Sequence, residues 1–348
     1  MNLKDVIMGG VDFPVGSDRV YLVAEAEINH NGSLATALDM VRAASEAEVD
    51  AIKFQYIVAD QIAAKGSSYY ELFKGVELGL NDFLRIRELA AELGLDFFVT
   101  APSLTSLPEV DGLEPRFIKI GSSNITNLPL LRGIARLRRP VILSTGGSSF
   151  GDIERALSEL KGLSVALLHC TMRYPAEPKD LNLRAVTSMR AGFPDRLIGY
   201  SDHSIGITAA IAAVALGARI IEKHFTLDKS QKGPDHGFSA DTADLSKLTK
   251  AVRDCESALG SGEKVPCVSE EEITRAARRF VVAARDLAQG SVIKERDLDC
   301  RRVNFETGLV RAEELDFILG MSAPRAYKAG EGFNWKHFKP AQKFEKGG

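Results

Sequence analysis

His203 and His224 are two of the six histidines in this chain, and each stands at or just past the end of an apolar run, in GYSDH and IIEKH. Two imidazoles at matched positions, with coordination sites left open, suit a catalytic divalent metal whose remaining sites go to substrate and water. Asp202, Glu222, Asp235 and His236 lie close by in sequence. The alternative is that either histidine is satisfied within a core or an interface.

Lys53 and Lys119 sit inside otherwise apolar runs, AIKFQ and FIKIG. A buried ammonium without a partner costs several kcal/mol, as an order of magnitude, so each lysine needs an anion. Glu25 or Glu222 is one candidate partner. A bound ligand is the other, because Gly121-Ser122-Ser123 and Ser144-Thr145-Gly146-Gly147 set backbone N–H groups and hydroxyls beside the lysines. Such turns cradle phosphate or carboxylate.

These residues need a scaffold that brings distant segments to one place. Apolar runs read as strands at Tyr21 to Ile28, Ala51 to Gln55, Asp96 to Thr100, Phe117 to Ile120, Pro140 to Ser144, Val165 to Cys170, Leu197 to Tyr200 and Ile220 to His224. Segments with helical spacing alternate with them: Leu34 to Ala47, near Leu80 to Leu93, a short turn near Leu104, near Leu130 to Leu137, Gly151 to Leu160, Leu181 to Ala191, Gly206 to Leu216 and Leu245 to Leu259. Eight such units in roughly 250 residues predict a closed (β/α)8 TIM barrel, an α/β fold, with an open doubly wound sheet as the alternative. The barrel is favoured because polar residues cluster at nearly every strand's C-terminal end, where only a closed barrel gathers them at one mouth.

After Leu259 the character changes. Residues 1–260 are assigned to the barrel, and the charged, turn-rich segment 261–279 to a linker. Short β-like runs from Phe280 predict a small β-rich domain over 280–341, about 60 residues and marginal on its own. The tail at 342–348 is expected to be disordered.

Composition narrows the partners. A net charge of −3 supplies no global attraction for nucleic acid or anionic lipid. No run of about 18 apolar residues and no h-region occur, so neither a membrane span nor an export signal is expected. Cys170, Cys255, Cys267 and Cys300 have no CxxC spacing, which predicts reduced thiols and a cytoplasmic setting.

The ordered series AEAEINHNG (24–32), IKFQ (52–55), FIKIGSS (117–123), LSTGG (143–147), LLHCTMRYP (167–175), GYSDHSIG (199–206), EKHFTLDKSQKGPDHGFS (222–239) and VVAARDLAQGSVI (281–293) resembles the sialic acid synthases. The resemblance covers nearly the whole chain. It implies a barrel followed by an antifreeze-like (SAF) domain, assembled as a domain-swapped homodimer. It implies condensation of phosphoenolpyruvate with an open-chain amino sugar or other aldose, and a divalent metal, manganese above magnesium or cobalt. By motif, His203 and His224 would be the metal ligands, and Lys53, Thr100, Lys119, Ser122, Ser144 and Ser201 would hold phosphoenolpyruvate. Gln55, Tyr174, Asp235 and the partner subunit's Arg302 would face the sugar, with Glu25 on the same polar floor.

Four departures fall on the sugar side. The family pattern carries glutamate where this chain has Asn124, and glycine where it has Glu27. A neutral amide cannot act as general base, whereas Glu27, two residues from Glu25 on a strand and so on the same face, adds a carboxylate. Glu27 is therefore expected to replace the lost carboxylate in part, unless it pairs with a lysine or faces solvent. Met172 stands where asparagine or serine is usual, and RRVNFETG makes Arg302 a looser match. The expectation is retained donor chemistry with an altered acceptor. The alternatives are another 3-deoxy-ulosonic acid synthase of the barrel superfamily, disfavoured by the C-terminal domain, and a catalytically weakened paralogue that binds sugar or phosphoenolpyruvate.

Overall fold

The computed structural model describes residues 19–338. The chain divides into two compact units, Met1–Ser261 and Gly262–Gly348. In the first, eight strands close a parallel barrel in sequence order: β1 (Tyr21–Glu27), β2 (Ala51–Gln55), β3 (Asp96–Thr100), β4 (Ile118–Ile120), β5 (Val141–Ser144), β6 (Val165–Cys170), β7 (Ile198–Asp202) and β8 (Ile220–His224). The open sheet is thereby excluded, since β8 pairs back onto β1 with His224 opposite Glu25.

Side-chain alternation along a strand explains what the barrel does with these residues. The inward positions nearest the strand starts are apolar: Tyr21, Val23, Ala51, Phe98, Phe117, Ile142, Leu168 and Ile220 belong to one buried cluster. Two residues further along the same face the chain turns polar, at Glu25, Lys53, Thr100, Lys119, Ser144 and Glu222. The outward positions, among them Leu22, Ile52, Phe54, Val99, Ile118, Leu143, Leu167, Tyr200 and Ile221, pack in the main core beneath the helices. The strands are thus mainly apolar on their outer faces, and their inward polar groups gather chiefly at the C-terminal mouth.

The helices start where short polar side chains satisfy their first N–H groups. Ser33 accepts from Thr36 N ahead of Leu34–Glu46, Asn127 from Leu130 N ahead of Leu128–Leu137, and Ser149 from Asp152 N ahead of Phe150–Glu159. Two short helices, Ala59–Ile62 and Ser68–Gly75, occupy the β2 connection where the sequence showed no clear period. The turn expected near Leu104 is a helix at Leu107–Gly112, and the helix expected from Leu181 begins at Arg184.

The second unit has its own core, including Val281, Ile293, Val310, Ile318, Tyr327 and Phe333. Strands β9 (Phe280–Ala283) and β10 (Leu298–Arg301) pair antiparallel within it. The segment read as a linker carries a 3-10 turn, Val268–Glu270, and a helix, Glu271–Ala277. The tail at 342–348 lies outside the described residues. Among the described residues no helix is long and apolar enough to cross a membrane, and the four cysteines are free thiols.

Candidate active site

At the barrel mouth one cavity is lined by Glu25, Glu27, Lys53, Gln55, Thr100, Lys119, Gly121, Ser122, Ser144, Tyr174, Ser201, His203, Glu222 and His224. It therefore draws on all eight strands or the loops that follow them, with Gly121 and Ser122 after β4 and Tyr174 after β6.

The floor is a lysine–carboxylate lattice. Lys53 contacts Glu25, donates to Thr100 Oγ1 at 3.0 Å and lies 3.6 Å from Glu222 Oε2. Lys119 donates to Ser144 Oγ at 2.7 Å and lies 3.5 Å from Glu222 Oε1, which also accepts from Ser201 Oγ at 2.8 Å. All four charged side chains are almost completely buried. Burial pulls Lys53 down to about 7, against the pull of Glu222. For Glu222 burial acts upward, but Lys119 and Lys53 overcome it and hold the carboxyl at about 2.

Beside this floor Ser122 Oγ accepts from Gly146 N at 3.0 Å and touches Cys170 Sγ at 3.1 Å. A Cβ on Gly146 would lie 2.8 Å from Met172 Cγ and 2.9 Å from both Cys170 Sγ and Ser122 Oγ, so only glycine lets the β5 and β6 loops close here. Two lysines and three hydroxyls, at Thr100, Ser122 and Ser144, are grouped so that they could hold an anion by charge-assisted hydrogen bonds.

The imidazoles stand across the cavity, with ring centroids 5.1 Å apart. His203 Nδ1 lies 2.7 Å from Thr171 O. A carbonyl can only accept, so Nδ1 carries the proton and Nε2 keeps its lone pair. His224 Nδ1 is buried with no hydrogen-bond partner. Burial lowers the pKa of both rings, which favours the neutral form that ligates metals. Tyr174 packs on His203 at 4.3 Å and Phe238 on His224 at 5.1 Å. Among the described residues no group of three or more His, Cys, Asp or Glu is placed to hold a metal.

Three expected site residues do not line the cavity. Asp235 stands beside it, with Oδ2 3.8 Å from His224 Nδ1 and burial raising its carboxyl to about 6. Asn124 ends the 3-10 turn Ser122–Asn124 and accepts from Asn127 Nδ2 at 3.0 Å through its side chain. Arg302 belongs to the second unit, where its Nε donates to Ala277 O at 3.2 Å. Two neighbours of the imidazoles also face elsewhere. Asp202 pairs with Lys223 at 2.9 Å on the outer side of the barrel, and His236 is held by Thr226 and Asn31. Asp202 and Lys223 are each one residue out of step with the inward Ser201 and Glu222, a signal the alternation already held.

Glu27 does line the cavity, but not by plain alternation. The β1–β2 register slips between Glu25 and Glu27, and Glu27 adopts a left-handed φ of 49°. The bulge, not the strand, aims this carboxylate.

Fold and site together define an enzyme of the TIM-barrel class, with a lysine–carboxylate floor and an imidazole pair built from strand ends. The family model described as NeuB family matches residues 40–264, and one for the SAF domain matches 278–339. The chain belongs to the NeuB family, the sialic-acid-type synthases. It is 37% identical to the N,N'-diacetyllegionaminic acid synthase of Legionella pneumophila, over 94% of this chain and 97% of that one. It is 33% identical to the N-acetylneuraminate-9-phosphate synthase of Drosophila melanogaster, over 91% and 94%. The solved N-acetylneuraminic acid synthetase of Leptospira borgpetersenii, a citrate complex, superposes with a TM-score of 0.72 at 35% identity, covering 76% of this chain and 94% of that one.

Proposed function

We propose that this enzyme condenses phosphoenolpyruvate with the open-chain form of an amino sugar or related aldose, giving a sialic-acid-like nonulosonic acid and inorganic phosphate. The observation that carries the reading is the pairing of two buried lysines with two neutral imidazoles across one cavity. Lys53, Lys119 and the Thr100, Ser122 and Ser144 hydroxyls suit the phosphate and carboxylate of the donor, because each offers a directed N–H or O–H in a buried site. Entry of that anion takes over from Glu222 as the lysines' counter-charge.

His203 and His224 fit a divalent cation, since His224 Nδ1 is a buried polar atom with no partner and His203 keeps Nε2 unprotonated. Manganese is the proposed ion, with magnesium or cobalt as substitutes. Bound there, it would supply Lewis acidity toward the sugar aldehyde. In the overall reaction C3 of the enol bonds to the aldehyde carbon, water adds at C2, and the C–O bond to phosphate breaks. The chain's own side chains hold the donor in register beneath the acceptor and exclude competing water.

The acceptor is proposed to differ from N-acetylmannosamine. Met172, Arg173 and Glu27 stand on the sugar side, and Arg173 is engaged by Glu177 at 2.9 Å. The non-catalytic alternative rested on Asn124, which lies outside a cavity whose charged groups are all in place. A homodimer, with the partner subunit's Arg302 completing the site, belongs to the same proposal. Mixing His224→Ala and Arg302→Ala proteins, each inactive alone, should restore activity if the domains are exchanged.

The deciding assay incubates metal-loaded protein with phosphoenolpyruvate and N-acetylmannosamine, mannose, diacetamido 6-deoxyhexoses or smaller aldoses, following phosphate release and product mass. Release with one sugar, lost with chelator and with His224→Ala, is expected. Release from none of them sinks the proposal.

A further inference from the structure

Glu27 combines two unfavourable features in one residue. Its φ of 49° places a side-chain-bearing residue in the left-handed region that glycine prefers. Its Oε2 is buried at the cavity wall without any hydrogen-bond partner, although a buried carboxylate oxygen is costly to leave unsatisfied. The remaining contacts do not repay this. Glu27 N donates to Glu25 Oε1 at 2.8 Å, a bond that any residue at this position would supply. Gln55 Nε2 donates to Glu27 Oε1, which fixes the carboxyl and leaves Oε2 as its one free edge.

Its height in the barrel says what could meet that edge. Gln55 follows Lys53 by two residues on β2 and so stands about 7 Å nearer the mouth on the same inward face. Lys53 and Lys119 form the floor, and the Glu27–Gln55 pair forms the wall above it. A second substrate must lie over the first at this height.

We propose that Glu27 is a specificity-determining residue that hydrogen-bonds the acceptor sugar through Oε2, with Gln55 as its positioning residue. This rests on the condensation reading above and names the acceptor's chemistry: a hydrogen-bonding hydroxyl or acetamido group faces Glu27 Oε2. Burial, then Asp235 and Glu222, push the Glu27 carboxyl well above the usual range, which agrees with an uncharged partner. A neutral carboxyl both donates and accepts, as a carboxamide does.

The test uses full-length, metal-loaded protein with phosphoenolpyruvate and, as acceptors, N-acetylmannosamine and a diacetamido 6-deoxyhexose. With the better acceptor, Glu27→Gly should raise the acceptor KM about tenfold, the cost of one lost polar contact, and leave the phosphoenolpyruvate KM within about twofold. Glu27→Asn, which tolerates the left-handed backbone but withdraws the polar head, should do the same. Glu27→Gln should stay within about threefold of wild type in both constants. A purely structural residue would move the melting temperature and neither KM. An unchanged acceptor KM in Glu27→Gly and Glu27→Asn overturns the inference, and so does a collapse of kcat in Glu27→Gln, which would make Glu27 a proton-transfer group. A wild type that turns over no acceptor removes the condensation reading together with this one, whereas an active wild type with unaffected variants removes only this one.

Discussion

Glu222 splits its carboxylate between two cations, with Oε1 3.5 Å from Lys119 and Oε2 3.6 Å from Lys53. This single side chain bridges the two lysines of the cavity floor. Removing its charge leaves buried lysines short of a partner, which costs about 3–5 kcal/mol where a buried pair is broken. Glu222→Gln should therefore lower the melting temperature clearly. Phosphoenolpyruvate should then raise it by more than in wild type, because the ligand restores the missing counter-charge. Thermal melts with and without ligand check both signs, and an equal ligand increment in the two proteins would speak against Glu222 as the displaced counter-ion.

Ser144 supplies a single neutral hydroxyl, at 2.7 Å from Lys119 Nζ. Its loss to alanine removes one donor toward the anion and one acceptor for the lysine, worth about 1 kcal/mol or about fivefold in donor affinity. Lys119→Met removes a full charge and should abolish measurable donor binding. Calorimetric titration with phosphoenolpyruvate separates the two. Equal losses would mean that the hydroxyl matters only through the lysine.

How much of this was legible in the sequence follows from where the signal lies. The strands were readable because each is an apolar run that ends in a polar residue, as Ile142 gives way to Ser144 and Phe98 to Thr100 on one face. That same period marks Asp202 as outward-facing, yet its nearness to His203 made it look like part of the site. Glu27 is harder. Its presence in the cavity depends on a bulge and a left-handed backbone, and neither leaves a mark in a strand pattern. Helices Ala59–Ile62 and Ser68–Gly75 were missed because four and eight residues are too short to show a helical period. The distances that make Glu222 a shared counter-ion arise only when β2, β4 and β8 converge.

The imidazole pair makes a prediction independent of turnover. If His224 Nδ1 is open to a cation, manganese should raise the melting temperature of the ligand-free protein in a concentration-dependent way. The increment should vanish in both His203→Ala and His224→Ala, and a chelator should reverse it in wild type. A metal-induced shift that survives both substitutions would place the cation elsewhere.

Lys53 gives a pH dependence with opposite signs for folding and for binding. Its folded pKa, lowered to about 7 from 10.5, means that between these values the unfolded chain carries a proton that the native state lacks. Unfolding then takes up protons, so the Lys53 contribution to ligand-free stability grows as pH rises through this window. Donor binding runs the other way. The anion needs the protonated amine, and its share falls as pH climbs past about 7, so affinity should weaken by up to about tenfold per pH unit. Melts and titrations from about pH 7 to 9, above the second ionisation of a phosphate ester near 6, isolate the lysine from the ligand's own titration. A phosphoenolpyruvate affinity that stays flat across that range would mean that Lys53 keeps its charge in the cavity, with Glu25 and Glu222 outweighing its burial.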